Sequence, residues 1–236
     1  MRLIFSRNNF VMCLAVFGVA IPVGLLFSLA VPQAAGLYVQ FMARRVFSSM
    51  GMPAGAPLGL REVFVVLVNN LIPVVAGFSF PPLIVAQNLS YAARKPGKYR
   101  RRSVFSELRL NLSLFGLALA FAFGFVVFGV FFGYLLRLGG PALLVRGLTV
   151  ISIHAPFEVS AILLSASVAL GLRDSIQDEQ GDPRVMLRAV LWPLVKSRRM
   201  ALSLILVVVL LVLGAFLEVY VSVPLAAGGL FRKTYA

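Results

Sequence analysis

Apolar residues in this chain come in long runs with few polar interruptions, rather than at the spacing of a one-sided helix or strand. A helix that is apolar all round is buried in a large core or in a membrane, and about 20 residues cross the hydrocarbon layer. Five runs qualify: residues 10–31, 63–92, 110–136, 142–172 and 200–223. Arg2 and Arg7 precede the first and Ala34 and Ala35 follow it, in the order of a signal peptide. Its apolar core exceeds the roughly 7–15 residues of a signal sequence, so a retained helix is expected. The second run carries Pro73, Pro81 and Pro82. Proline removes a backbone donor and crowds the preceding turn, which predicts a broken helix or a span followed by a short second piece. The predicted fold is therefore an all-α polytopic membrane protein, one domain over residues 1–236, with about five transmembrane helices.

Two of the gaps predict short interfacial helices. Residues 184–196 set Arg184 and Arg188 one turn apart beside Trp192 and several aliphatics, the pattern of a helix lying on a leaflet. Residues 33–60 mix apolar and polar positions before a Gly/Pro-rich stretch through Gly51, Pro53, Gly55 and Pro57, which fits a re-entrant or surface-lying helix. No internal repeat is evident.

Composition closes off other classes. The chain is 60% apolar and 13% charged, with a mean hydropathy of +0.96. Soluble domains are nearer half apolar and a quarter charged, which excludes a soluble enzyme, a disordered tail and a disulfide scaffold. Cys13 is the single cysteine and lies in the first run, so no intrachain disulfide forms.

The net charge of +14 raises the question of nucleic acid. The basic residues, however, sit in the short gaps between apolar runs, where anionic lipid headgroups and the positive-inside rule account for them. Residues 94–102 hold six, namely Arg94, Lys95, Lys98, Arg100, Arg101 and Arg102. With Arg2, Arg7, Arg109, Arg173, Arg184, Arg188, Lys196, Arg198 and Arg199, one side of the membrane carries 15 of the 22 cationic groups. An odd number of spans then predicts a cell-membrane protein with its N-terminus in the cytoplasm and its C-terminus outside.

Polar groups inside spans are expensive and mark chemistry or packing. His154, the only histidine, and Glu158 stand one turn apart in the fourth run, with Ala161, Ser165 and Ala169 on the same face. Small residues admit a second helix, so this pair is expected to be buried in protein, with Glu158 near mid-span. The second run adds Asn69, Asn70 and Asn88, expected either to bridge helices or to share a polar site with His154 and Glu158. The plain alternative for the pair is a structural contact. The third run places Gly116, Ala120 and Gly124 at intervals of four, then Gly129 and Gly133, interleaved with phenylalanines. It predicts close helix packing, within the chain or with a second copy. Glu218 and Glu62 are expected to be interfacial and without a role. One histidine, a cysteine in another span and no His-Glu-x-x-His element fall short of the three or four ligands a metal needs, so no metal or other cofactor is expected.

Five spans, the Asn69-Asn70 pair leading to Asn88, and His154-x-x-x-Glu158 followed by Ala161 and the run Gly171, Leu172, Arg173 resemble the stage II sporulation protein M family. The resemblance covers most of the chain but rests on about a dozen residues. Ile153 and Ala155 stand where that family tends to have proline and glycine, and Leu89 where it has glycine. The resemblance implies a polytopic protein that, in spore formers, holds a cell-wall remodelling complex at the membrane.

Three functions follow as expectations. The first is a non-enzymatic membrane scaffold or assembly subunit, presenting small-residue faces to membrane or envelope partners. The second is a transporter or permease subunit using Glu158, His154 and the Asn69-Asn70 region as a midplane site, with the 94–102 loop or the Trp192 helix docking a cytoplasmic ATPase. The third, an intramembrane enzyme, lacks a nucleophile beside the His-Glu pair.

Overall fold

The computed structural model describes residues 6–50, 59–94, 101–176 and 198–225, and among these there is helix but no strand. The helices are α1 (Arg7–Ala30), α2 (Pro32–Met50), α3 (Leu60–Arg94), α4 (Arg101–Phe123), α5 (Phe131–Ile151), α6 (Ala155–Ser175) and α7 (Arg198–Leu217). Two π-helical segments join them: π1, Gly124–Val130, between α4 and α5, and π2, Glu218–Ser222, continuing α7. Five stretches are long and apolar enough to cross a membrane, at Arg7–Ala30, Leu60–Tyr91, Val104–Ile151, Ala155–Ser175 and Ala201–Leu225. The chain is an all-α, multi-pass membrane protein.

Local chemistry explains several ends. Ser6 caps α1, its hydroxyl accepting from the Asn9 amide at 3.1 Å. Pro32 opens α2 at a position whose amide has no helical partner in any case. At the start of α3 the Gly59 amide donates to Glu62 Oε2 at 2.7 Å, the reach-back half of a capping box. Glu62, expected to be without a role, is thus a buried helix cap.

Two span expectations need correction. The second span is not broken: α3 runs unbroken for 35 residues through Pro73, Pro81 and Pro82. Prolines are tolerated within a span where neighbouring helices relieve the freed backbone groups. The fourth span starts at Ala155, not at residue 142. At Gly139 and Gly140 the backbone leaves helical geometry, with Gly140 at φ +65°, a region open to glycine, and Pro141 starts a separate helical piece. That piece ends in a turn over Ser152–His154, from which α6 begins. Within the 33–60 stretch a helix, α2, forms and packs against α5, while residues 51–58 lie outside the described residues. The Trp192 helix lies outside the described residues.

The chain divides into two compact units. The first comprises residues 1–15, 73–120 and 161–208. Its core is Val85 and Leu89 of α3, Phe105, Leu108 and Leu112 of α4, and Val168, Leu172 and Ile176 on or just past α6. Backbones approach closely: a Cβ on Gly77 would stand 2.7 Å from Ser165 Oγ, and one on Gly116 2.8 Å from the Ala166 carbonyl. Ala120 and Ala161 are fully buried.

The second unit comprises residues 16–72, 121–160 and 209–236. Here α1 lies along π1 and α5. Gly24 faces the Phe125 backbone, a Cβ on Gly124 would meet the Phe17 carbonyl at 2.6 Å, and one on Gly133 would meet the Leu25 carbonyl at 2.9 Å. The small residues step by four from Gly116 to Gly124 and then by five from Gly124 to Gly129. The π1 segment explains that step, because its hydrogen bonds run from i to i+5 and keep both glycines turned towards α1. Phe17 packs edge-on to Phe128 at 5.4 Å, and Phe27 meets Phe125 at the same separation. Val63 and Val66 of α3 close the unit against Ala215 of α7 and Val219 of π2.

Candidate intramembrane cation site

The second unit holds a buried polar cluster contributed by three stretches of chain. Asn70 comes from α3, His154 from the turn before α6, Glu158 from the first turn of α6, and Glu218 and Ser222 from π2. His154 and Glu158 are buried and Asn70 and Glu218 half-buried.

The turn over Ser152–His154 places the pair. The Phe157 amide donates to the His154 carbonyl at 3.1 Å, so His154 sits at the threshold of α6 with Glu158 one turn inside. Glu158 therefore lies near a helix start, where a carboxylate is favoured by the unpaired amides, and not at mid-span. Pro156 fits this first turn, where its missing donor is not needed.

Three contacts define the geometry. Asn70 Nδ2 donates to Glu158 Oε1. His154 Nδ1 and Ser222 Oγ are 2.8 Å apart. One ligand-type atom from each of His154, Glu158 and Glu218 lies within 4.8 Å of the other two. The Glu158 and Glu218 carboxyl groups thus face each other within that 4.8 Å. Gly214 makes room for this: a Cβ there would stand 2.7 Å from Glu158 Cγ. The face of α7 and π2 turned to the cluster thus reads Gly214, Glu218, Ser222, one residue per turn.

Two carboxylates are acceptors only, so a facing pair is relieved by a proton or a cation between them. Among the described residues no lysine or arginine pairs with either. Asn70 satisfies part of Glu158, while Ser222 fixes the imidazole through Nδ1. Ser222 also places a hydroxyl beside the histidine, which the sequence did not suggest. Ser222 is buried, 2% exposed, against the ring.

The expected site is therefore partly assembled and partly redrawn. His154, Glu158 and Asn70 meet. Asn69 is half-buried, and no side-chain hydrogen bond joins it to the cluster among the described residues. Asn88 belongs to the first unit, where it donates to the Ile84 carbonyl at 2.9 Å and accepts from Asn111 at 3.2 Å. Glu218, expected to be idle, is a member of the cluster and brings a third side chain of ligand type to it. The Gly-x-x-x-Glu-x-x-x-Ser spacing was the available signal, since it puts the acid on a small-residue face.

The expected packing residues Gly116, Ala120, Gly124, Gly129, Gly133, Ala161 and Ser165 all lie in helix contacts within this chain. Comparison with family models, curated proteins and solved structures finds no match to the chain.

Proposed function

We propose that the chain is a transporter of the cell membrane, or the membrane subunit of one, in which the His154–Glu158–Glu218 cluster binds a cation that crosses the bilayer or drives another solute across. The observation that carries this reading is the pair of facing carboxylates in an apolar helical unit, with no salt bridge to either among the described residues. Ionisable groups inside a membrane span are costly and are found along ion and substrate pathways. The surrounding backbone supports it too. A helix start, a turn and a π segment converge on the cluster, and irregular helices of this sort commonly build binding sites. The scaffold reading drew on the small-residue faces, and those faces are filled by the chain's own helices.

The proposed orientation has the N-terminus in the cytoplasm and the C-terminus outside, with the 94–102 loop on the cytoplasmic side. A single cysteine placed at Lys98 in a Cys13→Ser background should stay unlabelled when an impermeant thiol reagent is added to intact cells. Labelling from outside would invert this topology.

Function is tested in proteoliposomes carrying the purified chain, loaded with a pH-sensitive dye in one set and a divalent-cation indicator in another. Gradient-driven entry above that of empty vesicles is expected, with its loss in Glu158→Gln. Entry equal to that of empty vesicles overturns the transport reading.

A further inference from the structure

The geometry points to a divalent transition-metal ion, with Zn2+ as its representative, held by His154, Glu158 and Glu218. This inference rests on reading the cluster as a cation site and adds which cation it takes.

Charge decides first between monovalent and divalent ions. Two carboxylates bring two negative charges and a neutral imidazole brings none, so a divalent ion leaves the centre neutral. A monovalent one leaves a net charge in surroundings where charge is costly. Donor type decides next. Calcium and magnesium take shells of about six to eight oxygens. An imidazole nitrogen beside two carboxylate oxygens suits zinc and its first-row neighbours instead.

The distances agree with this choice. Ligand atoms around a tetrahedral zinc stand about 3.4 Å apart. The three here lie within 4.8 Å of one another, so side-chain movements of about an ångström bring them onto one ion. Outer partners are in place as well. Ser222 Oγ, 2.8 Å from His154 Nδ1, leaves Nε2 as the ring nitrogen for the metal, and Asn70 holds Glu158. Such partners orient metal ligands and are part of their affinity. Three protein ligands leave one coordination position open to water or an entering group, which suits an ion that arrives and departs.

The test uses the full chain in mild detergent, purified through a streptavidin-binding tag. His154 is the only histidine, and a histidine tag would itself bind the probe. Equilibrium dialysis against zinc chloride and elemental analysis should find one Zn2+ per chain. Affinity should fall by about a hundredfold in His154→Gln and Glu218→Gln, at the upper end of what outer-partner losses do to metal sites. Should a variant fail to fold, Co2+ bound to the wild type gives a second reading: visible bands of a four-coordinate nitrogen/oxygen site are expected. Wild type that binds no zinc, or variants that bind it as well as wild type, overturns the metal assignment. Wild type that admits protons into vesicles but binds no zinc overturns that assignment alone. Wild type that does neither overturns the cation site as well.

Discussion

The two units treat polar groups in opposite ways. In the first, donors meet acceptors. Asn9 donates to Asp174 Oδ2 at 3.0 Å, and Arg173 pairs with Asp174 Oδ1 at 2.7 Å. Arg109 donates to the Ile176 carbonyl just past the end of α6, and Asn111 to Asn88. These contacts fasten helix ends and are complete as they stand. In the second unit an acceptor faces an acceptor across Glu158 and Glu218, and among the described residues only Asn70 donates a side-chain hydrogen bond to either. Polarity inside a membrane bundle thus has two meanings, and partner type rather than burial separates them.

The sharpest way to break the contrast is to fill the two units alike. Gly214→Leu drives a side chain into Glu158 and should abolish zinc binding, with about 1–3 kcal/mol of overpacking in thermal stability. Gly77→Leu presses equally close on Ser165 and should cost similar stability while the folded fraction still binds zinc. Equal loss of binding in both would dissolve the distinction.

Exchanging acceptors for amides comes next in size. Glu218→Gln supplies a donor to Glu158, so thermal stability without metal should hold or rise even as zinc affinity falls about a hundredfold, some 2.7 kcal/mol. Asp174→Asn removes a carboxylate that already has its donors and should lower stability by no more than about 1 kcal/mol, since the pair is partly solvated. A marked loss of stability in Glu218→Gln would mean that its carboxylate has a donor of its own.

The smallest effects probe the outer partners. Ser222→Ala should weaken zinc binding about tenfold with little change in stability. Asn88→Leu should lower stability by about 0.6 kcal/mol, the usual worth of a hydrogen bond between membrane helices, and leave zinc binding alone. Zinc titration and thermal unfolding in detergent on the same samples check both.

Much of the architecture was legible because length and apolarity alone define a span. What escaped was local. Three prolines predicted a break in α3, but proline rules come from helices in water, and in a span neighbouring helices let the helix continue. Residues 142–151 are as apolar as a span, so only the Gly139-Gly140-Pro141 sequence hinted that they form a separate piece. That misplacement put Glu158 at mid-span instead of at a helix start. Glu218 was judged by its depth along the last run, whereas its face, shared with Gly214 and Ser222, carried the information. The five-residue step between Gly124 and Gly129 was visible too, and it reads as π-helix once the partner helix is known. What no single run reveals is that residues 60 positions apart, Glu158 and Glu218, face each other.

The unbroken course of α3 has a consequence for the lipid. At about 1.5 Å per residue its 35 residues extend roughly 52 Å. A typical hydrocarbon layer is about 30 Å thick, and about 40–45 Å with its headgroup regions. Such a helix must lean, project, or stretch the bilayer around it, each at a fraction of a kcal/mol per ångström of mismatch. Asn70, which steadies Glu158, rides on that helix. If the proposed site feels that lean, short-chain and long-chain lipids should support different zinc affinities in the same protein.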